Sequence, residues 1–394
     1  MQYKIAVIDR GFVSPYFDEL FRIMNRSRDR EYVVFYGDPP KGTGLEAAPE
    51  PYDFPNVRIE NKHIPFLNTA VYQTLVRNVT SGEYDAVIIG HELKFLSNWV
   101  VAFLCRLKGI PIIFWGFGYH APRGVGYRQR SSNLWNWTAQ ALKDRIARIG
   151  DSYLAYTQRG ADRMRAQGLK CSIRIVRPSV NVEEQIRLHE KYLTANEAAL
   201  RSELGCAPDS SVLLYIGRLV GAKGVDGLVE VVRRLNEEGK DRRKVEARII
   251  GDGDTFDALK AQSADLPEVE LLGGIYDQDV VAKYMRVAEA IVLPGAAGIT
   301  VTHAFAHGKP VLTRENPLHS PEAEYVRDGE NGRVVVGDFD AFVKAVAYFV
   351  DHPGERDRLS KGALSTRESF SMQRMADQFD EAVIEVLSRR REAR

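Results

Sequence analysis

The chain has 394 residues, of which 44% are hydrophobic and 27% are charged, and its formal net charge is +1. This length suits two domains of ordinary composition, and the balanced charge gives no indication of a nucleic-acid partner. The three cysteines are widely spaced and form no CxxC pair, which argues against a disulfide framework and against a metal site. The chain starts on a strand pattern and no apolar run approaches the ~18 residues that span a membrane, so we expect a cytoplasmic protein.

Short runs rich in Val and Ile alternate with helical patterns along the chain. Continuous apolar runs between helices are typical of buried parallel strands, and the alternation predicts an α/β fold with doubly wound sheets. The predicted strands are 4–9, 32–37, 86–90, 111–116, 153–157 and 173–177 in the first half, and 213–217, 247–251, 269–273, 290–295 and 310–313 in the second.

A polar, Glu-rich stretch without a strand pattern separates the two halves, which places a domain boundary near 183–205. We predict two Rossmann-like domains, 1–183 and 205–370, followed by a final helix within 371–394. Ligands of open α/β sheets bind at the carboxyl ends of the strands. The two domains are therefore expected to face a central cleft, and the loops that follow the strands are the candidate sites.

In the first half, these loops contain two histidines that could donate to a phosphate or sugar oxygen. His91 and Glu92 follow the strand 86–90, and Tyr119 and His120 follow 111–116. We predict His91 and His120 as catalytic residues, although each could instead be a packed or solvated histidine. Gly11, Glu92 and Tyr119 are predicted on the acceptor side.

The segment 123–148 is rich in arginine and interleaves Trp135 and Trp137. Such a basic, aromatic segment can lie on an anionic membrane surface, which predicts a peripheral contact at the inner face of the membrane. The alternative, which we prefer, is a loop that covers the substrate followed by an amphipathic helix packed on its own domain.

The loop after the first strand of the second half contains Gly217, Arg218, Lys223 and Gly224. Gly217 allows close backbone approach, Arg218 offers a fork to phosphate oxygens, and Lys223 adds a point charge. A helix N-terminus after Gly224 adds positive dipole. The pattern predicts a diphosphate site with Arg218 and Lys223 as catalytic residues. The alternative is a solvated loop with two surface cations.

Glycines also close the next strand and open the helix that follows 290–295. Exposed N–H groups at that helix start could hold a second part of a pyrophosphate, whereas the alternative is tight strand-to-helix packing. The residues predicted to bind the donor in these loops are Gly251, Gly253, Gly295, Gly298, Ile299 and Thr300.

Two further side chains of this half could contact a sugar. His303 lies one turn into the helix, where a neutral imidazole could hydrogen-bond a ribose hydroxyl or be structural; His307, one turn further, is predicted to be structural. Glu322 follows the strand 310–313 and could bind sugar hydroxyls. The pair Ser320 and Pro321 could equally make this stretch a plain helix start.

The second half resembles the donor half of the family 4 glycosyltransferases of the GT-B fold, through GRLVGAKG, ARIIGDGD, VELLGGIYDQDVVAKYM, AIVLPG, HAFAHGKPVLT and VRDGENGRVV in that family's order and spacing. The first half resembles the family more loosely, through SPYFDELF, YDAVIIG, PIIFWGFG and YLAYTQRGADRMRAQG.

The resemblance implies a nucleotide-sugar donor in the second domain and a glycan, lipid-linked or small-molecule acceptor in the first. Arg218 and Lys223 would grip the donor diphosphate, and the loop of Gly274, Ile275 and Tyr276 would receive the base. The final helix would cross back to the first domain. Transfer would proceed with retention and without a metal ion or cofactor.

This sequence departs from the family at the pair of glutamates that the family spaces by seven residues, because the two positions read Gly295 and His303. The second glutamate normally binds ribose, for which His303 could substitute. The first contacts the donor sugar, and Gly295 has no side chain. Many relatives also place a histidine where this chain has Phe117, and His120 could take over that role.

We therefore interpret the sequence as a retaining glycosyltransferase of cell-surface polysaccharide assembly. The alternative is a catalytically weak or inactive GT-B protein that binds a nucleotide or glycan, which the missing side chain at Gly295 motivates. An epimerase or a phosphorylase is disfavoured, since these loops contain no suitable acidic pair and no lysine placed to hold pyridoxal phosphate.

Overall fold

The computed structural model describes residues 2–9, 11–15, 17–39, 47–63, 71–73, 75–81, 83–118, 133–177, 182–239 and 243–392, with only the backbone described at 63, 71–73 and 133–137. The chain divides into two compact units. The first unit comprises the described residues up to 177 together with those from 372 onward, and the second unit comprises residues 182–371.

The first unit contains a seven-stranded parallel sheet and a two-stranded antiparallel ribbon. Its strands are β1 (Tyr3–Ile8), β2 (Arg30–Tyr36), β3 (Asn56–Arg58), β4 (Asn61–His63), β5 (Val71–Gln73), β6 (Ala86–Gly90), β7 (Ile112–Gly116), β8 (Ser152–Ala155) and β9 (Ser172–Ile175). The sheet order is β3-β2-β1-β6-β7-β8-β9, and β4 pairs with β5. The helices that follow these strands are α1 (Asp18–Met24), α2 (Val76–Thr80), α3 (Leu96–Leu107), α4 (Asn133–Ala147) and α5 (Gln158–Ala166).

Side chains of the first sheet alternate between two cores, one on each face, as the two-residue period of a strand requires. Ile5 and Val7 pack in the core that includes α1, whereas Ala6 and Ile8 pack in the core that includes α2, α3, α4 and α5. Strands covered on both faces are hydrophobic throughout, which is why β6 and β7 read as continuous apolar runs in the sequence.

The second unit contains a six-stranded parallel sheet in the order β12-β11-β10-β13-β14-β15. Its strands are β10 (Ser211–Ile216), β11 (Val245–Ile250), β12 (Val269–Gly273), β13 (Ala290–Leu293), β14 (Val311–Arg314) and β15 (Gly332–Val335). Its helices are α6 (Val182–Leu193), α7 (Glu197–Glu203), α8 (Asp226–Glu238), α9 (Phe256–Gln262), α10 (Gln278–Val287), α11 (Thr300–Ala306), α12 (Phe339–Asp351) and α13 (Pro353–Arg367).

All eleven strands predicted from apolar runs are confirmed, with small shifts at their ends. Four strands were not predicted from the sequence. Three of them, β3, β4 and β5, have three residues each and no apolar run of their own. The fourth, β15, lies at the sheet edge with the sequence GRVV. The strandless stretch near 183–205 forms α6 and α7, whose Leu188, Tyr192 and Leu200 pack in the second unit's core.

The final helix, α14 (Met372–Glu392), belongs to the first unit. Apolar residues at helical spacing, among them Met375, Phe379 and Val383, pack in the same core as α1. A polar contact adds to this packing, because Asp380 accepts hydrogen bonds from the guanidinium of Arg30 at 2.8 Å and from the hydroxyl of Tyr32 at 2.6 Å.

Candidate functional site

The candidate donor site lies at the carboxyl edge of the second unit's sheet, beside the central strand β10. The chain builds β11 and β12 on one side of β10 and then returns to build β13 on the other. Such a reversal is a topological switch point, where ligands of open α/β sheets bind. The loops that follow β10, β11, β13 and β14 meet there through backbone hydrogen bonds, including Ala296 N to Ala222 O at 2.9 Å and Ser320 N to Ala297 O at 3.0 Å.

Gly295 packs directly against the loop that carries Lys223. A Cβ atom at position 295 would lie 2.4 Å from the carbonyl carbon of Lys223 and 2.6 Å from the oxygen of Ala222. The adjoining Gly224 has a φ of 55°, a left-handed conformation that favours glycine. The absence of a side chain at 295 is therefore a packing requirement of this loop, because any glutamate there would displace the backbone of the turn 221–223.

Lys223 is half-buried at the centre of the site. Its ammonium donates a hydrogen bond to the carbonyl oxygen of Ala296 at 2.7 Å and lies 3.3 Å from the place that a Cβ of Gly298 would occupy. Burial lowers the pKa of Lys223 and the neighbouring Arg218 lowers it further, whereas Glu322 opposes the shift. The structure thus brings together Arg218, Lys223, Gly298 and Glu322.

Arg218 is exposed, and its guanidinium makes no ion pair or hydrogen bond within the described residues. Its backbone is fixed, since the hydroxyl of Tyr215 donates to the Arg218 carbonyl oxygen at 3.0 Å. The site therefore presents one cation on a held backbone and a second, half-buried cation beside it. Two neighbouring cations of this kind suit an anionic ligand with more than one phosphate.

Glycines at the end of β11 allow the β10 and β11 loops to approach each other. A Cβ at Gly251 would lie 1.9 Å from the oxygen of Gly217, and one at Gly253 would lie 2.1 Å from the oxygen of Leu219. Packing of this kind accounts for both glycines without a ligand. Gly217 itself has a φ of 152°, at the edge of the region that favours glycine.

Helix α11 begins beside this loop pair. The hydroxyl of Thr300 donates to the oxygen of Ile216 at 2.9 Å, which ties the helix start to the end of β10. The backbone N–H groups of Gly298, Ile299 and Thr300 have no acceptor among the described residues, as is usual for a first helical turn.

The two histidines of α11 differ in their surroundings. His303 is half-buried, and burial lowers its pKa to about 4, so its imidazole is neutral at pH 7. The imidazole of His303 makes no hydrogen bond within the part of the chain that the structure describes. His307 is buried, its Nε2 lies 3.1 Å from Oε1 of Gln185, and its ring packs edge-on against His189. His307 is therefore structural, as predicted.

The last two parts of the predicted donor site follow β14 and β12. Pro321 is the first residue of the 3-10 turn Pro321–Tyr325, in agreement with a helix start. Within this turn, Glu322 is buried close to Lys223, so the same residues also contribute to the candidate donor site. Tyr276 is 82% exposed, with its ring 3.3 Å from the place that a Cβ of Gly274 would occupy, and Ile275 packs on the core. The edge of β12 therefore presents an exposed aromatic ring.

The catalytic prediction for His91 does not fit its position. His91 is 1% exposed, its Nδ1 lies 3.0 Å from the Tyr153 hydroxyl, and its Nε2 lies 3.1 Å from the Lys143 carbonyl oxygen. Burial holds its pKa well below the usual value. With both nitrogens bonded inside the core, His91 cannot reach a substrate oxygen, and the alternative of a packed histidine is correct.

The other acceptor-side residues are only partly described. The carbonyl oxygen of Gly11 accepts hydrogen bonds from the backbone N–H of Gly37 and from the side-chain amide of Asn61 in β4, which fixes the first strand-end loop. Glu92 is half-buried and forms an ion pair with Lys94 at 2.9 Å. Tyr119, His120 and residues 123–132 of the segment 123–148 lie outside the described residues.

A polar cluster beside His91 was not predicted from the sequence. Burial lowers the pKa of Lys143 to about 8, with Glu92 opposing the shift. Arg163 forms a two-pronged ion pair with Asp144 at 2.8 Å and donates to the Gly118 oxygen at 2.7 Å. The segment 123–148 is basic in the sequence. Nothing in the sequence, however, links helices α4 and α5 to the loop after β7.

The chain is similar to known glycosyltransferases. Residues 196–366 match the family model described as Glycosyl transferases group 1. A D-inositol 3-phosphate glycosyltransferase from Streptomyces scabiei is 27% identical over 311 residues, which cover 73% of this chain and 65% of that protein. The lipopolysaccharide core biosynthesis glycosyltransferase LpsE from Rhizobium meliloti is 27% identical over 184 residues, which cover 45% and 51% of the two chains.

Among solved structures, Anabaena HepE in complex with UDP superposes with a TM-score of 0.68 at 17% identity and covers 98% of this chain and 100% of that chain. The fold is therefore GT-B, as the resemblance implied. The chain spans about half to two thirds of the length of the curated relatives that it matches. No described helix is long and apolar enough to cross a membrane.

Proposed function

We propose that this chain is a retaining glycosyltransferase that moves a sugar from a nucleoside diphosphate to a hydroxyl group of a glycan, lipid-linked or small-molecule acceptor. The observation that carries the proposal is the pair Arg218 and Lys223 at the switch point beside β10, inside a glycosyl transferases group 1 domain. A role in cell-surface polysaccharide assembly at the inner face of the membrane rests on relatives such as LpsE.

The chemistry that the site supports is charge stabilisation of a leaving diphosphate. As the bond between the anomeric carbon and the phosphate oxygen breaks, negative charge develops on the diphosphate, and Arg218 and Lys223 are placed to offset it. The ammonium of Lys223 donates one hydrogen bond to Ala296 and keeps two further N–H donors for phosphate oxygens. The acceptor oxygen forms the new bond on the same face, and its proton passes to the leaving phosphate.

The remaining site residues are proposed to bind rather than to react. The neutral His303 can share a hydrogen bond with a ribose hydroxyl, and the exposed ring of Tyr276 can stack on a base. Since two cations supply positive charge, we expect transfer without an added metal ion or cofactor.

Turnover of Arg218→Ala tests the proposal. Release of nucleoside diphosphate is measured from UDP-, GDP-, dTDP- and ADP-linked sugars, with membrane lipids and soluble sugars as acceptors and with EDTA present. We expect Arg218→Ala to lose about 100-fold or more in turnover, the cost of removing one donor that stabilises a transition-state anion. Arg187→Ala, at an exposed position of α6, is the matched control and should retain activity. Equal turnover of Arg218→Ala and wild type would refute the site.

A second candidate is a GT-B protein that binds a nucleotide or glycan without transferring a sugar. The packing at Gly295 favours it, because no side chain from that position can contact a donor sugar. The two candidates differ in product: transfer yields a glycosylated acceptor, whose anomeric configuration by NMR also reports retention. Nucleotide binding with no product from any donor would favour the second candidate.

A further inference from the structure

Helix α3 of the first unit carries a stripe of large apolar side chains that the protein leaves exposed. Leu96, Val100, Phe103 and Leu107 are 38%, 48%, 59% and 68% exposed. At 100° per residue these four positions fall within about 60° of arc, and they extend along about 16 Å of the helix. The opposite side, with Val101, Ala102 and Cys105, packs in the sheet core. The helix is therefore apolar on both its inner and its outer faces.

An exposed stripe of this kind marks an interaction surface, and the charge around it identifies the partner. Helices α3, α4 and α5 cover the same face of the sheet, since all three contribute to one core. These helices lie within residues 94–118 and 133–170. Together the two ranges contain ten lysines and arginines, three aspartates and no glutamate. The whole chain has a net charge of only +1, so positive charge is concentrated in this layer.

Exposed cations of the layer lie at the ends of α3 and α4. Arg106 and Lys108 flank it on either side at the end of α3, and both are exposed. Helix α4 adds the exposed Leu142 and Arg145, followed by Arg148. Apolar side chains bordered by lysine and arginine are the composition of a surface that inserts shallowly between anionic headgroups.

We propose that the outer face of α3, together with the exposed cations Arg106, Lys108, Arg145 and Arg148, docks on the surface of an anionic phospholipid bilayer. Two copies of this chain are a poorer fit, because a symmetric interface would bring the same cationic layer against itself. The stripe residues insert among the acyl chains near the headgroups, and the cations contact lipid phosphates. This surface differs from the predicted contact of segment 123–148, with which it shares only the end of α4.

Vesicle binding by the full chain tests the proposal without a sugar donor, so the result does not depend on the proposed activity. Sedimentation is compared with vesicles of phosphatidylcholine alone and with vesicles of two parts phosphatidylcholine to one part phosphatidylglycerol. We expect binding to the anionic vesicles only, and weaker binding as the salt concentration rises. Failure to bind anionic vesicles at low salt would overturn the proposal.

The double variant Phe103→Ser/Leu107→Ser isolates the stripe. Its partition coefficient should fall at least about tenfold, because two buried apolar side chains are lost from the lipid contact. The matched control Leu193→Ser/Val336→Ser removes two exposed apolar side chains of the second unit and should bind as wild type does. Unchanged circular dichroism melting of both variants separates lost binding from lost folding.

A second pair of substitutions tests the charge. Arg145→Gln/Arg148→Gln should bind anionic vesicles several-fold more weakly and with a shallower salt dependence. Equal binding by wild type and the stripe variant would overturn the proposal. A concentration-dependent dimer in sedimentation velocity, present in wild type and abolished by Phe103→Ser/Leu107→Ser, would instead assign the stripe to a second copy.

Discussion

Replacing Gly295 by alanine places a methyl group where the loop of Lys223 already lies. The new Cβ would be 2.4 Å from the Lys223 carbonyl carbon and 2.5 Å from its oxygen, both of which are backbone atoms that cannot turn away. Overpacking of this kind costs about 1–3 kcal/mol. For a unit of this size, a loss of about 2 kcal/mol lowers the melting temperature by about 4–8 °C. Because the turn 221–223 must shift, Lys223 also leaves its place beside Ala296, and nucleotide binding weakens.

Gly221→Ala is the matched control, since Gly221 lies in the same loop, has open space around its Cβ position and has no positive φ. Its effect should be neutral or slightly stabilising, by less than about 1 kcal/mol. Differential scanning fluorimetry and nucleotide titration are run on wild type and both variants. Gly295→Glu, which recreates the family's acidic residue, should be at least as damaging as Gly295→Ala. A Gly295→Glu protein with wild-type stability and nucleotide binding would refute the packing argument.

Three further predictions concern groups away from Lys223. His91→Phe removes hydrogen bonds to Tyr153 and Lys143 in the core and should cost about 1–3 kcal/mol in urea unfolding; unchanged stability would contradict its structural role. The pKa of His303 is lowered to about 4 in the folded state. The free energy of unfolding is therefore highest above pH 6.5, and it decreases as the pH falls towards 4 because the unfolded state binds the proton first. Wild type should therefore lose about 1–3 kcal/mol more than His303→Gln between pH 7 and 4, and equal losses would argue against a half-buried neutral imidazole. Asp380→Ala leaves Arg30 without its ion-pair partner and should loosen α14, with faster hydrogen exchange there than in wild type; identical exchange would show that apolar packing alone holds the helix.

The sequence was sufficient for most of the fold because buried parallel strands are apolar on both faces. Runs such as 86–90 and 247–251 therefore identified β6 and β11 without any alignment. Short strands such as β4, with the sequence NKH, carry no such signal and depend on pairing with a partner strand. The stretch near 183–205 is predicted as a domain boundary because it is polar and has no strand pattern, and only the packing of Leu188 and Leu200 shows that its helices belong to the second unit.

The candidate site was predictable where local pattern determines position. Arg218 and Lys223 were found because they follow a strand end, and the sheet order alone places that strand end at the switch point. His91 also follows a strand end, yet its role depends on Tyr153 and on the backbone of Lys143, which are distant in the sequence. The tight packing of Gly295 likewise depends on a loop that precedes it by several elements, so the sequence indicated a missing side chain but not its cause.

A nucleoside diphosphate that binds beside β10 should stabilise the folded protein, and thermal unfolding with added nucleotides measures this stabilisation. UDP, GDP, dTDP and ADP are added without metal to wild type, Arg218→Ala and Arg187→Ala. Because a ligand at about 100 times its dissociation constant stabilises the folded state by about 2.7 kcal/mol, a selective shift is readily measured. We predict that one nucleotide class stabilises wild type and Arg187→Ala but not Arg218→Ala. No shift with any nucleotide, or an equal shift in Arg218→Ala, would contradict a nucleotide site at Arg218.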